Sequence, residues 1–123
     1  MGNNSAFFMQ RLNDHIQYLG RVTRTLADKD DFHGTDCHSC KLGRWIDSSG
    51  REDVVAHAPH AEGLFERLVE RHEYFHSVSN EVLAKHQVGD TVNCYRAMTE
   101  MHKVSGQLVS LLLDIDRKVK VAA

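Results

Sequence analysis

Proline is almost missing from this chain: Pro59 is the only one in 123 residues. Aromatic residues are scarce at 7%, and no stretch alternates Val, Ile or Thr with polar residues, which disfavours a sheet protein. No apolar run approaches the roughly 18–20 residues that span a bilayer, so no membrane insertion is expected. There is no basic excess: a net charge of −2 and a pI near 6.5 argue against a nucleic-acid or anionic-membrane partner. The segment from Met1 to Phe8 lacks a basic region followed by an apolar one. No secretion signal is therefore expected, and the cytoplasm is the expected compartment. Three cysteines cannot all pair within one chain, and reduced thiols fit that compartment. Cys37-His38-Ser39-Cys40 is a C-x2-C pair, but no second one exists, which excludes a zinc knuckle with four cysteine ligands. Internal repeats and low-complexity tracts are also missing.

What the chain does have is helical periodicity. Phe8, Leu12, His15, Leu19, Val22 and Leu26 recur at steps of four and three, which keeps one stripe on one face. Asn3, Asn4 or Ser5 is placed to cap that helix. Residues 28–42 are polar and read as a loop. Gly43 to Ser49 reads as a short helix ended by Gly50, with Asp53 capping a further short segment to Ala58. Pro59 suits the first turn of the next helix, along which Phe65, Leu68, His72, Phe75, Ser79, Val82 and His86 form a second stripe. Gly89-Asp90-Thr91 reads as a stop and a cap. Cys94, Met98, Met101, Ser105, Leu108, Leu112, Ile115 and Val119 then form a third stripe. The expected fold is all-α: an antiparallel bundle of four-helix type with an additional short helix. The heptad rhythm of the last stripe, with extra apolar residues such as Leu111 and Leu113, predicts a homodimer.

Nine histidines are the compositional outlier. His15 and His72 sit on apolar stripes, where a lone histidine is usually a hydrogen-bonded core residue. His76 stands one turn beyond His72 on the same face. A neutral imidazole is costly to bury unless its nitrogens have partners, and one shared metal ion would serve three rings at once. Cys40 supplies the thiolate that completes a tetrahedral zinc site. His15, Cys40, His72 and His76 are therefore the candidate ligands. His38 and His60 remain competitors, and Cys37 remains a possible participant through its C-x2-C spacing. His33, His57, His86 and His102 read as exposed polar surface. Cys94, on the last stripe, reads as a buried free thiol.

The segment Cys40-x-x-Gly43-x-Trp45-x4-Gly50, preceded by His15 and followed by His72-x3-His76, resembles the chemoreceptor zinc-binding domain family. The resemblance spans about residues 8–118, so that residues 1–123 are taken as one such domain. It implies a dimeric helical bundle holding one Zn2+ per subunit through three histidines and one cysteine, which fall on His15, His72, His76 and Cys40. It also implies a cytoplasmic sensory part of chemoreceptors or diguanylate cyclases, acting on an output domain in cis or in trans, and no catalysis. The chain departs from the family pattern at Tyr18, where a tryptophan often stands, at Cys37, and in a longer stretch over 51–71.

Two rival functions follow from the same residues. His72-Glu73-x-x-His76 is a literal HExxH, which in a zinc peptidase supplies two ligands and a general-base glutamate. That chemistry needs a third ligand downstream, such as Glu100, and an open position for water, and it leaves Cys40 without a role. The other rival is a metal-independent helical adaptor that only dimerises.

Overall fold

The computed structural model describes the backbone of residues 3–122 and the side chains of residues 9–121. Phe8 and the candidate caps Asn3, Asn4 and Ser5 lie outside the described side chains. Three long helices dominate: α1 (Asn3–Leu26), α4 (Glu62–Gln87) and α5 (Thr91–Ala122). Between the first two lie α2 (Lys41–Trp45) and α3 (Arg51–His57). A π-turn over Ile46–Gly50 joins α2 to α3, and a 3-10 turn over Pro59–Ala61 leads into α4. The described residues contain no strand.

The stripes of the sequence become the core. On α5, Cys94, Met101, Ser105, Leu108, Leu112, Ile115 and Val119 are buried. On α4, Phe65, Leu68, His72, Phe75, Ser79 and Val82 are buried, and on α1 His15 and Val22. Each fully buried Leu or Phe stabilises the fold by about 1.5–3 kcal/mol through removal of apolar surface from water. Leu111 also joins this core, whereas Leu113 stays exposed at 40%.

Helices α4 and α5 form an antiparallel hairpin. Asp90 Oδ1 accepts the N–H of Asn93, which caps α5 after the left-handed Gly89. The register is fixed at Cys94, whose thiol donates to the Val82 carbonyl, and at Arg71, which donates to Gln107. α1 also runs antiparallel to α5: His15 meets Ser105, while Leu26 lines a cavity with Cys94 and Met98. α1 ends in a left-handed residue, Asp28, with the Lys29 N–H bonded back to the Arg24 carbonyl.

The segment over residues 41–57 differs from its sequence reading. Gly50 does not stop a helix: its φ is −54°, inside a continuous α–π–α rod. It is glycine for a packing reason, because a Cβ there would stand 2.9 Å from the Phe65 ring. Asp53 is not a cap either. It lies inside α3, where its Oδ2 accepts Trp45 Nε1–H at 2.8 Å and Ser49 Oγ–H at 2.9 Å. These bonds hold the buried Trp45 over the Phe65 ring edge and so fix the rod against α4.

Candidate metal centre

Cys40 is the N-cap of α2. Its extended backbone turns the chain into the helix, and its Sγ accepts the Gly43 N–H at 3.2 Å. The turn is tight enough to exclude any side chain at residue 43. A Cβ on Gly43 would fall 1.8 Å from the Cys37 carbonyl oxygen and 3.2 Å from His72 Cε1. The Cys-x-x-Gly spacing therefore lays the loop segment of Cys37 on α2 and brings Cys40 against α4.

There, Cys40 Sγ lies 3.2 Å from His72 Nε2. His76, one turn on, stacks its ring edge to face with His72 at 4.7 Å. One donor atom each from Cys40, His72 and His76 falls within 4.8 Å of the other two. His76 Nδ1 is 3.0 Å from the Thr35 carbonyl oxygen, which only accepts, so Nδ1 carries the proton and Nε2 keeps its lone pair. Such a second bond fixes the tautomer and ring direction of a metal-binding histidine.

The Thr35 peptide is itself clamped. Its carbonyl also accepts Asn80 Nδ2–H at 3.0 Å, and its N–H donates to Tyr18 Oη at 2.9 Å. Tyr18 meanwhile packs its ring on His76 at 4.7 Å. Gly34, at φ +83°, makes this approach possible, since a Cβ there would meet Asn80 Oδ1. Removing Asn80 should loosen His76 without touching a candidate metal donor. Asn80→Ala is expected to lower zinc affinity by about tenfold, the lower end for outer-shell partners, in a competition titration with a chromogenic chelator. Unchanged affinity would show that the Thr35 peptide holds His76 without it.

His15 lines the same cavity as Cys40, His72 and His76 but lies outside their three-donor cluster. Its Nε2 pairs with Ser105 Oγ at 2.9 Å and its ring meets the Phe75 edge at 4.7 Å. One ring nitrogen is thus anchored and Nδ1 remains. His60 is exposed in the 3-10 turn and takes no part in the three-donor cluster. His38 is exposed and pairs with Asp47 at 2.7 Å. Cys37, a free thiol, contributes its carbonyl to the Gly43 approach. Glu73, the would-be general base of HExxH, is exposed and outside the cluster, whereas its flanking histidines are buried.

Electrostatics favour the metal-ready state of the rings. Burial lowers His15 to about 4 and His72 to about 3, with mutual repulsion among the rings adding to it; burial also lowers His76. All three are therefore neutral at pH 7, the form that ligates. Burial pushes the Cys40 thiol up, partly offset by the Gly43 N–H. Metal binding must then displace that proton. The donors fit zinc in kind: imidazole nitrogens and a thiolate, in a buried setting.

The lowered histidines have a stability consequence. Unfolded histidines take up protons near pH 6.5. In the metal-free fold His15 and His72 resist until about 4 and about 3. Between those values the unfolded chain binds more protons, so stability is lost as pH falls from about 6.5 towards 4. The slope approaches about 1.4 kcal/mol per pH unit for each such histidine. Urea titrations of metal-free protein should show midpoints that fall between pH 7 and 5. A flat profile would mean that the rings are hydrated without metal.

The helical bundle gathers two histidines and a cysteine around one small volume, a donor set that could hold a metal ion. The chemoreceptor zinc-binding domain family matches residues 15–83, more than half of the chain, from His15 to seven residues past His76. The chain belongs to that family, which is one of zinc-binding sensory domains. No curated protein and no solved structure matches it. No helix among the described residues is long and apolar enough to cross a membrane.

Proposed function

We propose that residues 1–123 form a single zinc-binding sensory domain, with a core at about 8–118, in which His15, Cys40, His72 and His76 hold one Zn2+ per chain. The state of that site controls a signalling output in chemotaxis or cyclic-di-GMP synthesis, in cis or in trans, in the cytoplasm, without catalysis by the domain itself. The observation that carries this reading is the convergence of Cys40, His72 and His76 within 4.8 Å. His15 is assigned as the fourth ligand because it is buried in the same cavity with one nitrogen anchored on Ser105.

Zinc, when bound, supplies Lewis acidity that keeps the Cys40 sulfur deprotonated. The donors come from α1, the N-cap of α2 and α4, so ligation ties three separate segments together. Loss of one donor frees those segments, because binding energy at such a site is partly folding energy. Oxidation of Cys40 is one route. Hypochlorite takes two electrons from the sulfur, leaves its oxygen as sulfenic acid and departs as chloride. Cys37, three residues away, then condenses with it, releasing water and forming a disulfide. A homodimer would form through α5, whose stripe has a heptad rhythm and on which Val92, Tyr95 and Leu113 are exposed. Light scattering should accordingly give twice 14.0 kDa.

The test is zinc release from loaded protein under hypochlorite, followed with a chromogenic chelator. The release that hypochlorite adds over each protein's own unoxidised control should depend on Cys40 and be lost in Cys40→Ala, while Cys37→Ala should lose only the disulfide. Equal release in Cys40→Ala would remove Cys40 from sensing.

A further inference from the structure

The cavity over the candidate metal centre is far larger than an ion needs, at about 700 Å³. That is the size of a small-molecule site. Its floor includes Cys40, His72 and His76, and its wall contains four cationic side chains and one carboxylate. Arg21 and Arg24 come from α1; Lys41 and Arg44 come from α2. The carboxylate, Asp14, has an ion pair with Arg11 at 3.4 Å. Asp30 lies 3.7 Å from both Arg21 and Arg24, so one negative charge is shared between two guanidinium groups. Lys41 and Arg44 are exposed and form no ion pair among the described residues. A chain with a net charge of −2 has thus placed a positive rim around one cleft.

We propose that this cavity is a binding site for small anions, held at the rim by Arg21, Arg24, Lys41 and Arg44 and reaching the Cys40–His72–His76 floor at the other end. The inference rests on the zinc reading for the floor alone; the rim stands on its own charges. It makes access to the site selective by charge. A cleft lined with one sign of charge raises the local concentration of the opposite sign, and salt weakens that effect.

The experiment compares two flat chelators of similar size on zinc-loaded protein: pyridine-2,6-dicarboxylate, a dianion, and 1,10-phenanthroline, which is neutral. Zinc removal by the dianion should rise with its concentration and slow by about tenfold or more in Lys41→Glu/Arg44→Glu. It should also slow as salt rises to about 0.5 M. Removal by phenanthroline should change by less than about twofold in both cases, as expected for a ligand without charge. Equal changes for both chelators, or rates independent of chelator concentration, would overturn the proposal.

A metal-free arm separates this from the zinc reading. In Cys37→Ser/Cys94→Ser protein, the Cys40 thiolate attacks an aryl disulfide, forms a mixed disulfide and expels a coloured aryl thiolate. The dianionic bis(nitrobenzoate) disulfide should lose rate on rim reversal while neutral dipyridyl disulfide does not. A change in the thiol itself would move both reagents alike and count against the rim. Protein that binds no zinc but keeps this contrast would overturn the metal reading and leave the anion site standing.

Discussion

Replacing Cys40 with serine should cut zinc affinity by more than about a hundredfold, beyond the cost of losing an outer-shell partner. The substitution is selective for a physical reason. Cys40 has two roles, as a sulfur donor beside His72 and as the N-cap of α2. Serine is a good N-cap, and its hydroxyl can accept the same Gly43 N–H. The metal-free stability of Cys40→Ser should therefore match the wild type within about 0.5 kcal/mol, the range of benign substitutions. Thermal unfolding with and without zinc, read beside a competition titration, separates the two roles. A Cys40→Ser protein with undiminished zinc affinity would mean that the sulfur only caps a helix.

Gly43→Ala should destabilise the protein by about 3 kcal/mol or more, the opposite of what helix propensity predicts. Alanine in a helix interior gains roughly 1 kcal/mol over glycine. At Gly43, however, the new Cβ would lie 1.8 Å from the Cys37 carbonyl oxygen and 2.9 Å from its carbon. Both are backbone atoms, so the loop itself must move, and overpacking of that kind costs more than the propensity returns. Moving the loop also pulls Cys40 from His72, so zinc affinity should fall with stability. Gly106 is the matched control. It is exposed on α5 with nothing within 4 Å of a Cβ, and Gly106→Ala should stabilise by about 0.5–1 kcal/mol. Urea midpoints for the two variants should move in opposite directions. A neutral Gly43→Ala would show that the Cys37 loop is free to shift.

The long helices were legible because burial follows their 3.6-residue period. Nearly every residue on the α5 stripe is buried, with Met98 only partly so. The rod over residues 41–57 was not, because the local rules that read Gly50 as a stop and Asp53 as a cap are overridden by packing. Gly50 fits beneath Phe65, and Asp53 holds Trp45. At the site, His15 and His72 stood out because imidazoles on an apolar stripe demand partners, His76 because it stands one turn from His72, and Cys40 as the thiolate that could join them. Their supports did not. The Thr35 carbonyl is a backbone group with no side-chain signature. Ser105 did leave a signal, a hydroxyl on an apolar stripe, but periodicity gives no register between helices and so could not set it opposite His15. Asn80 and Tyr18 act through Thr35, a contact between distant segments that spacing along one helix cannot encode.

The central claim is one zinc ion in a shell of three imidazole nitrogens and one thiolate. X-ray absorption at the zinc edge, on untagged protein loaded with one equivalent of zinc, tests it most directly. The spectrum should require one sulfur at about 2.3 Å and three nitrogens at about 2.0–2.1 Å. The sulfur should vanish in Cys40→Ser and one nitrogen in His15→Ala. A wild-type shell without sulfur, or a His15→Ala spectrum identical to the wild type, would contradict the assignment of these four residues.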